Sequence, residues 1–211
     1  MSDLRIVVDR ILDLRPAVRD RAALVAVSGI DGSGKGWVTA RIFTELRNAG
    51  AKAANINIDG WLNLPAKRFS RTNPAENFYL HAIRFDDMFA QLVLPLRDHR
   101  SVHVEADFAE ETATAFKKRV YDYSDIDVIL LEGIYLLKQE FRRYYDFSVW
   151  IECSFATALK RALARGQEGL PPAETIRAYE TIYFPAQEIH FKRDHPKQAA
   201  TMIFSNDADP A

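Results

Sequence analysis

The chain has 211 residues, 48% hydrophobic and 27% charged, proportions that suit one folded α/β domain with a sizeable core and require no second domain. Its formal net charge of -1, with lysines and arginines scattered among acids, gives no global field for nucleic acid. One cysteine, Cys153, excludes a disulfide within the chain, and no apolar run approaches a membrane span; a cytoplasmic protein with no nucleic-acid or membrane partner is expected.

In chain order, Leu4, Val7, Val8, Ile11 and Leu12 form an amphipathic pattern with acids interspersed, which predicts a packing helix rather than a signal segment. The apolar run Leu24 to Ser28 then leads into Gly29-Ile30-Asp31-Gly32-Ser33-Gly34-Lys35-Gly36, and Val38 to Leu46 reads as helix. Strand, glycine-rich loop and helix in that order read as a phosphate-binding loop. Gly29, Gly32 and Gly34 allow successive N–H groups to turn inward around a phosphate at the positive end of the helix, and Lys35 reaches the β- and γ-phosphates. Gly29, Asp31, Gly32, Ser33, Gly34, Lys35, Gly36 and Trp37 are therefore the candidate nucleotide-contacting residues. A strand-to-helix turn that simply needs glycine is the plain alternative. The position after the lysine normally carries Ser or Thr, whose hydroxyl binds Mg²⁺, and Gly36 has no such group to offer.

Further strands are expected at Ala53 to Ile58, Asp127 to Leu131, Phe147 to Cys153 and Ala200 to Phe204, joined by crossover helices into a parallel sheet. Between Trp61 and Asp125 lies a section the crossover does not require: a polar and basic loop from Pro65 to Pro74, a helical stretch from Glu76 to Leu96, and strand-like fragments between Ser101 and Val120. An insertion at the carboxyl end of a strand is where such sheets build substrate sites, so this section is read as the acceptor pocket, with Tyr79, His81 and Arg84 as candidate contacts. Asp59, at the end of the second strand, is placed to take a proton from an attacking hydroxyl, to contact the substrate or to help hold a metal. An aspartate in a turn before Gly60 is the plain alternative. Glu132 ends the apolar strand Val128 to Leu131, where a carboxylate can hold Mg²⁺ directly or through water.

Arg161 and Arg165 lie four residues apart on a helical pattern that Gly166-Gln167-Glu168-Gly169 ends. They share one face and suit stabilisation of a transferring phosphoryl group, a solvated helix face being the alternative. Cys153, at the end of an apolar run, reads as a buried, inert thiol, and the loop Ser205-Asn206-Asp207 is a candidate for the adenine site.

These residues together resemble the uridine kinase, phosphoribulokinase and pantothenate kinase group of P-loop kinases. Gly29 to Lys35 is similar to the group's phosphate loop, Asp59 falls on its strand-end aspartate, and Glu132-Gly133 matches its acidic strand end. Thr157, Leu159, Arg161 and Arg165 resemble its helix leading into a lid, and Tyr179 and Pro185 the helix that follows. The resemblance implies a P-loop NTPase-type three-layer sandwich, with a parallel sheet of about five strands and helices on both faces. It implies a single domain over 1–211, a substrate-site insertion at about 61–125 and a short lid at about 161–172. It further implies transfer of the γ-phosphate of ATP, with Mg²⁺, to a hydroxyl of a small molecule such as a nucleoside, sugar or vitamin-like alcohol, with Asp59 as base; a homodimer is a candidate assembly. The chain departs from true uridine kinases in its shorter lid and in lacking their substrate-recognition pattern, which counts against uridine itself. The Gly-Lys-Gly ending also resembles the loop of polyphosphate-dependent nucleotide kinases. A nucleotide-binding regulator with a degenerate metal site is the alternative function.

Overall fold

A computed structural model describes residues 2–14, 20–166 and 169–207. In chain order, α1 (Ser2–Leu14) precedes β1 (Ala23–Gly29), α2 (Lys35–Asn48) and β2 (Ala53–Asn57). The inserted section follows: α3 (Pro65–Arg68), α4 (Pro74–His81), α5 (Phe85–Met88), a π turn Phe89–Val93, α6 (Leu94–His99), and the antiparallel hairpin β3 (Val102–Phe108) and β4 (Lys117–Tyr123). Then come β5 (Val128–Gly133), β6 (Phe147–Glu152), α7 (Phe155–Arg165), α8 (Pro172–Ala178), a π turn Tyr179–Tyr183, α9 (Phe184–Asp194), α10 (Pro196–Ala199) and β7 (Met202–Ser205). Each expected strand is present. The stretch expected as one helix from Glu76 to Leu96 is instead interrupted between His81 and Phe85, where Ile83 bridges Leu62 and the Arg84 N–H donates to the Trp61 carbonyl at 2.8 Å.

The five-stranded sheet is parallel throughout, in the order β2-β5-β1-β6-β7. Successive side chains of a strand point to opposite faces, and β1 and β5 are apolar on both. Ala23, Val25 and Val27 of β1, with Val128 and Leu130 of β5, pack against Val7, Val8 and Ile11 of α1 and Val38, Ile42 and Leu46 of α2. Leu24, Ala26, Ile129 and Leu131 face the other way, in one core with Phe78 and Tyr79 of α4, Leu92 and Trp150. A strand buried on both faces must be apolar at every position, which is why these runs are legible without alternation. The chain reverses its direction across the sheet at β1, and the crevice outside the carboxyl ends of such strands is the expected ligand site. No helix among the described residues is long and apolar enough to cross a membrane.

Candidate active site

The phosphate loop joins β1 to α2 at that crevice. Gly32 and Gly34 adopt left-handed backbone with φ of 75° and 81°, which disfavours any side chain. Space forbids one as well, since a Cβ would fall 2.4 Å from the Ala158 carbonyl oxygen at Gly32 and 2.4 Å from Asn206 Nδ2 at Gly34. The loop is held from behind. Arg161 Nη1 donates to the carbonyls of Ser33 at 3.2 Å and Asn206 at 2.9 Å, and Asn206 Nδ2 donates to the same Ser33 carbonyl at 2.7 Å. In a trans peptide the C=O and the following N–H point in opposite directions, so the Gly34 N–H is aimed away from these donors. Thr157, on the same helix as Arg161, joins Ser154 and Asp207 in a cap beside the loop.

A cavity of about 260 Å³ opens in front of the loop, lined by Asp31, Gly32, Gly34, Lys35 and Gly36, by Asn57, Asp59 and Glu132, and by Arg165. Asp31 Oδ1 accepts from the Gly32 N–H at 3.0 Å and lies 3.5 Å from Arg165 Nη2, while the Tyr179 hydroxyl donates to Asp31 Oδ2. Burial pushes the Asp31 carboxyl up, but Lys35, Arg165 and these hydrogen bonds outweigh it and leave it below its ordinary value. Arg165 is the last residue of α7, with Gly166 as a left-handed cap, and its side chain is 41% exposed over the cavity. Gln167 and Glu168, within the expected lid, lie outside the described residues.

Asn57, which no motif or periodicity singles out, organises the two carboxylates. Its Oδ1 accepts from the Asp59 N–H at 2.7 Å and its Nδ2 donates to Glu132 Oε2 at 2.9 Å. Glu132 is 5% exposed, and burial raises its pKa, with Lys35 opposing and Asp59 adding to the rise. Asp59 is open to the crevice, yet the dense walls around its carboxyl strip enough solvent to raise its pKa too, again against Lys35. A Cβ placed on Gly36 would meet Glu132 Oε2 at 3.7 Å as its nearest neighbour, and the backbone there is not left-handed. Glu132 thus stands beside the place of the missing side chain. Among the described residues no group of three or more His, Cys, Asp or Glu could hold a metal ion.

Four other expected contacts lie elsewhere. Tyr79 turns its hydroxyl to Asp194 in a buried network with His190, because burial of a phenol demands a hydrogen-bond partner. Arg84 donates to the carbonyls of Leu62 and Asp107 and packs over Trp61 and Phe116. His81 and Arg84 line a separate cavity of about 240 Å³ with Lys138 and Phe141. Trp37, 55% exposed, points outward from the first turn of α2 and lines a groove against Leu4, Val8 and Leu12 of α1. In place of Tyr79, His81 and Arg84, the hairpin supplies the wall beside Asp59: a cavity of about 330 Å³ shares Asn57, Asp59, Leu62 and Glu111 with the first and adds Arg119, Tyr121 and Tyr123. Cys153 is buried near Arg161, and burial pushes its thiol up to about 11, as an inert side chain requires.

Comparison with known proteins gives a consistent pattern. The model of the phosphoribulokinase / uridine kinase family matches residues 24–169. A uridine kinase of Limosilactobacillus reuteri is 27% identical over 148 residues, which cover 69% of this chain and 65% of that protein, a little under two thirds of its length. A Bacillus stearothermophilus structure described as a possible uridine kinase aligns with a TM-score of 0.68 at 22% identity, covering 93% of this chain and 97% of its own. Phosphoribulokinase from Rhodobacter spheroides aligns with a TM-score of 0.60 at 12% identity, covering 88% and 70% respectively. At these identities the structural likenesses establish the fold.

Proposed function

Because the chain belongs to the phosphoribulokinase / uridine kinase family, we propose that it transfers the γ-phosphoryl group of ATP to a hydroxyl of a small molecule such as a nucleoside, sugar or vitamin-like alcohol. One observation carries this reading: Lys35 and Asp59 line one cavity, with a single amide, Asn57, fixing both Asp59 and Glu132.

In this reading the loop N–H groups and Lys35 hold the phosphates, where the end of α2 adds its partial positive charge. Asp59 accepts the hydroxyl proton as the acceptor oxygen bonds to phosphorus and the bond from phosphorus to the β-phosphate oxygen breaks, releasing ADP. Its raised pKa moves it toward the range in which a carboxylate is an effective base. Arg165 stabilises charge on the phosphoryl oxygens as they separate. ATP bound with Mg²⁺ supplies the transferable group and the divalent charge. The donor set fits that ion modestly: Glu132 and Asp59 offer carboxylate oxygens, and Gly36 leaves room beside Glu132 for water, which Mg²⁺ retains readily. Arg161 belongs to the framework of the loop and acts through Ser33.

The Limosilactobacillus relative makes uridine the first acceptor to try. ADP formation should be measured with ATP, Mg²⁺ and a panel of uridine, cytidine, D-ribose, D-fructose, D-glycerate and pantothenate. ADP release that depends on one of these alcohols supports the assignment; tight ATP binding with no acceptor-dependent release favours a regulator.

A further inference from the structure

The phosphate-loop side of the cavity is polar and charged, but α4 and the segment running from the π turn Tyr179–Tyr183 into α9 supply a different wall. Phe78 and Tyr183 meet edge to face with ring centroids 4.9 Å apart, and Leu62 and Ile134 extend that apolar surface. One turn beyond Tyr183, Gln187 lines the same cavity at 1% exposure; its Oε1 is itself buried and has no hydrogen-bond partner among the described residues. A buried polar atom without a partner is costly and uncommon, and a ligand is one reason for keeping it.

The helix also places this atom. Tyr179 contacts Asp31 of the phosphate loop, and Gln187 follows about two turns later, where the π turn Tyr179–Tyr183 has passed into α9. Among the described residues lining the cavity, the cations are Lys35 and Arg165, both at the loop, whereas the charged group added by the hairpin side is Glu111, which Arg68 already pairs at 2.7 Å.

We infer that Gln187 is a specificity residue for the acceptor: a turn of its side-chain amide presents Oε1 to an O–H or N–H donor of an uncharged acceptor whose apolar face lies on Phe78 and Tyr183. The inference rests on the transfer reading above and names the acceptor as neutral rather than a carboxylate or phosphate ester. An anionic acceptor held against Phe78 and Tyr183 would meet Glu111, Asp59 and Glu132 with Lys35 and Arg165 committed to ATP, since Arg119 lines the adjoining cavity on the hairpin side rather than this one.

The test compares wild type with Gln187→Met, and with Gln187→Ala should methionine not pack. Kinetics with ATP use neutral probes (uridine, cytidine, D-ribose, D-fructose) and anionic ones (D-glycerate, pantothenate). The variant should raise the KM of the neutral probe that is consumed about tenfold while leaving the KM of ATP unchanged, the cost of one buried hydrogen bond. The ligand-free methionine variant should melt no lower than wild type, because it removes an unpaired polar atom. Unchanged acceptor KM, or turnover confined to the anionic probes, overturns the inference. Melting shifts with the same probes at saturating ADP separate the two readings. If wild type consumes no ATP but a neutral probe stabilises it and the variant loses that shift, the Gln187 assignment stands and the transfer reading falls; an equal shift in both proteins, or none in wild type, overturns the Gln187 assignment.

Discussion

Asn57 and Glu132 are direct partners across β2 and β5, and the Asn57 amide spans the step between them by donating to Glu132 Oε2 at 2.9 Å while accepting from the Asp59 backbone. One neutral side chain therefore sets the position of both carboxylates without contributing charge. Asn57→Ala should lower kcat between about tenfold and a hundredfold, the usual effect of losing a group that orients a catalytic or metal-bound carboxylate. The KM of ATP should move little, since the loop N–H groups and Lys35 are untouched. Steady-state kinetics decide it, and an unchanged kcat would reduce Asn57 to a turn residue.

Lys35 and Arg165 are separated by the same measurement. Lys35 lies at the start of α2 and folds back toward the Ile30 carbonyl at 3.4 Å, so Lys35→Ala should weaken ATP binding and abolish transfer together. Arg165 reaches the cavity from the end of α7 and borders Asp31. Arg165→Ala should cut turnover by a factor on the order of a thousand with a much smaller change in ATP affinity, as for a contact made mainly in the transition state. Equal losses of affinity and turnover would place Arg165 in ground-state binding instead.

The raised pKa values of Asp59 and Glu132 also predict a stability cost. A carboxyl whose folded pKa lies above its unfolded value favours the folded state fully below the unfolded pKa, near 3.8 for Asp and 4.5 for Glu, and loses that contribution as pH rises through the folded pKa. At neutral pH each ionised group is therefore less stable in the ligand-free protein than in the unfolded chain. Asp59→Asn should raise the melting temperature at pH 7, and the gain should disappear below about pH 4. It should also remove the carboxylate-dependent acid limb of kcat/KM. A variant that melts lower at pH 7 would mean the Asp59 carboxylate is stabilised by its surroundings.

The phosphate loop and the parallel strands were legible because each depends on local chemistry: Gly32 and Gly34 need left-handed backbone, and β1 and β5 must be apolar on two faces. The insertion was not. Its helical periodicity runs through Ile83 and Arg84, but pairing to Leu62 and Trp61 breaks the helix there, and only tertiary contact reveals that. Tyr79 and His81 were candidates because they lie in the helical stretch of the insertion, whereas Tyr79 has a buried partner 115 residues away in Asp194. Asn57 and Gln187 carry no periodic or charge signal, so nothing in the chain distinguishes them from surface amides until the sheet register and the cavity wall are known.

Gly36 is the sharpest departure from an ordinary phosphate loop, and its surroundings separate two explanations for it. If the backbone required glycine, φ would be positive there, as at Gly32 and Gly34, and it is not. A side chain has room, with Glu132 Oε2 at 3.7 Å as the nearest atom to a new Cβ. Gly36→Ser should therefore fold, gain roughly 0.4–1 kcal/mol from a less flexible unfolded chain, and keep its affinity for ATP. Its hydroxyl would enter the space beside Glu132 and add an oxygen ligand, lowering the Mg²⁺ concentration for half-maximal activity. Gly36→Ala is the control, sharing the backbone effect but carrying no oxygen. Mg²⁺ titrations of the three proteins give the answer: reduced demand in the serine variant alone assigns the difference to the missing ligand, whereas the same curve for serine and alanine rejects it.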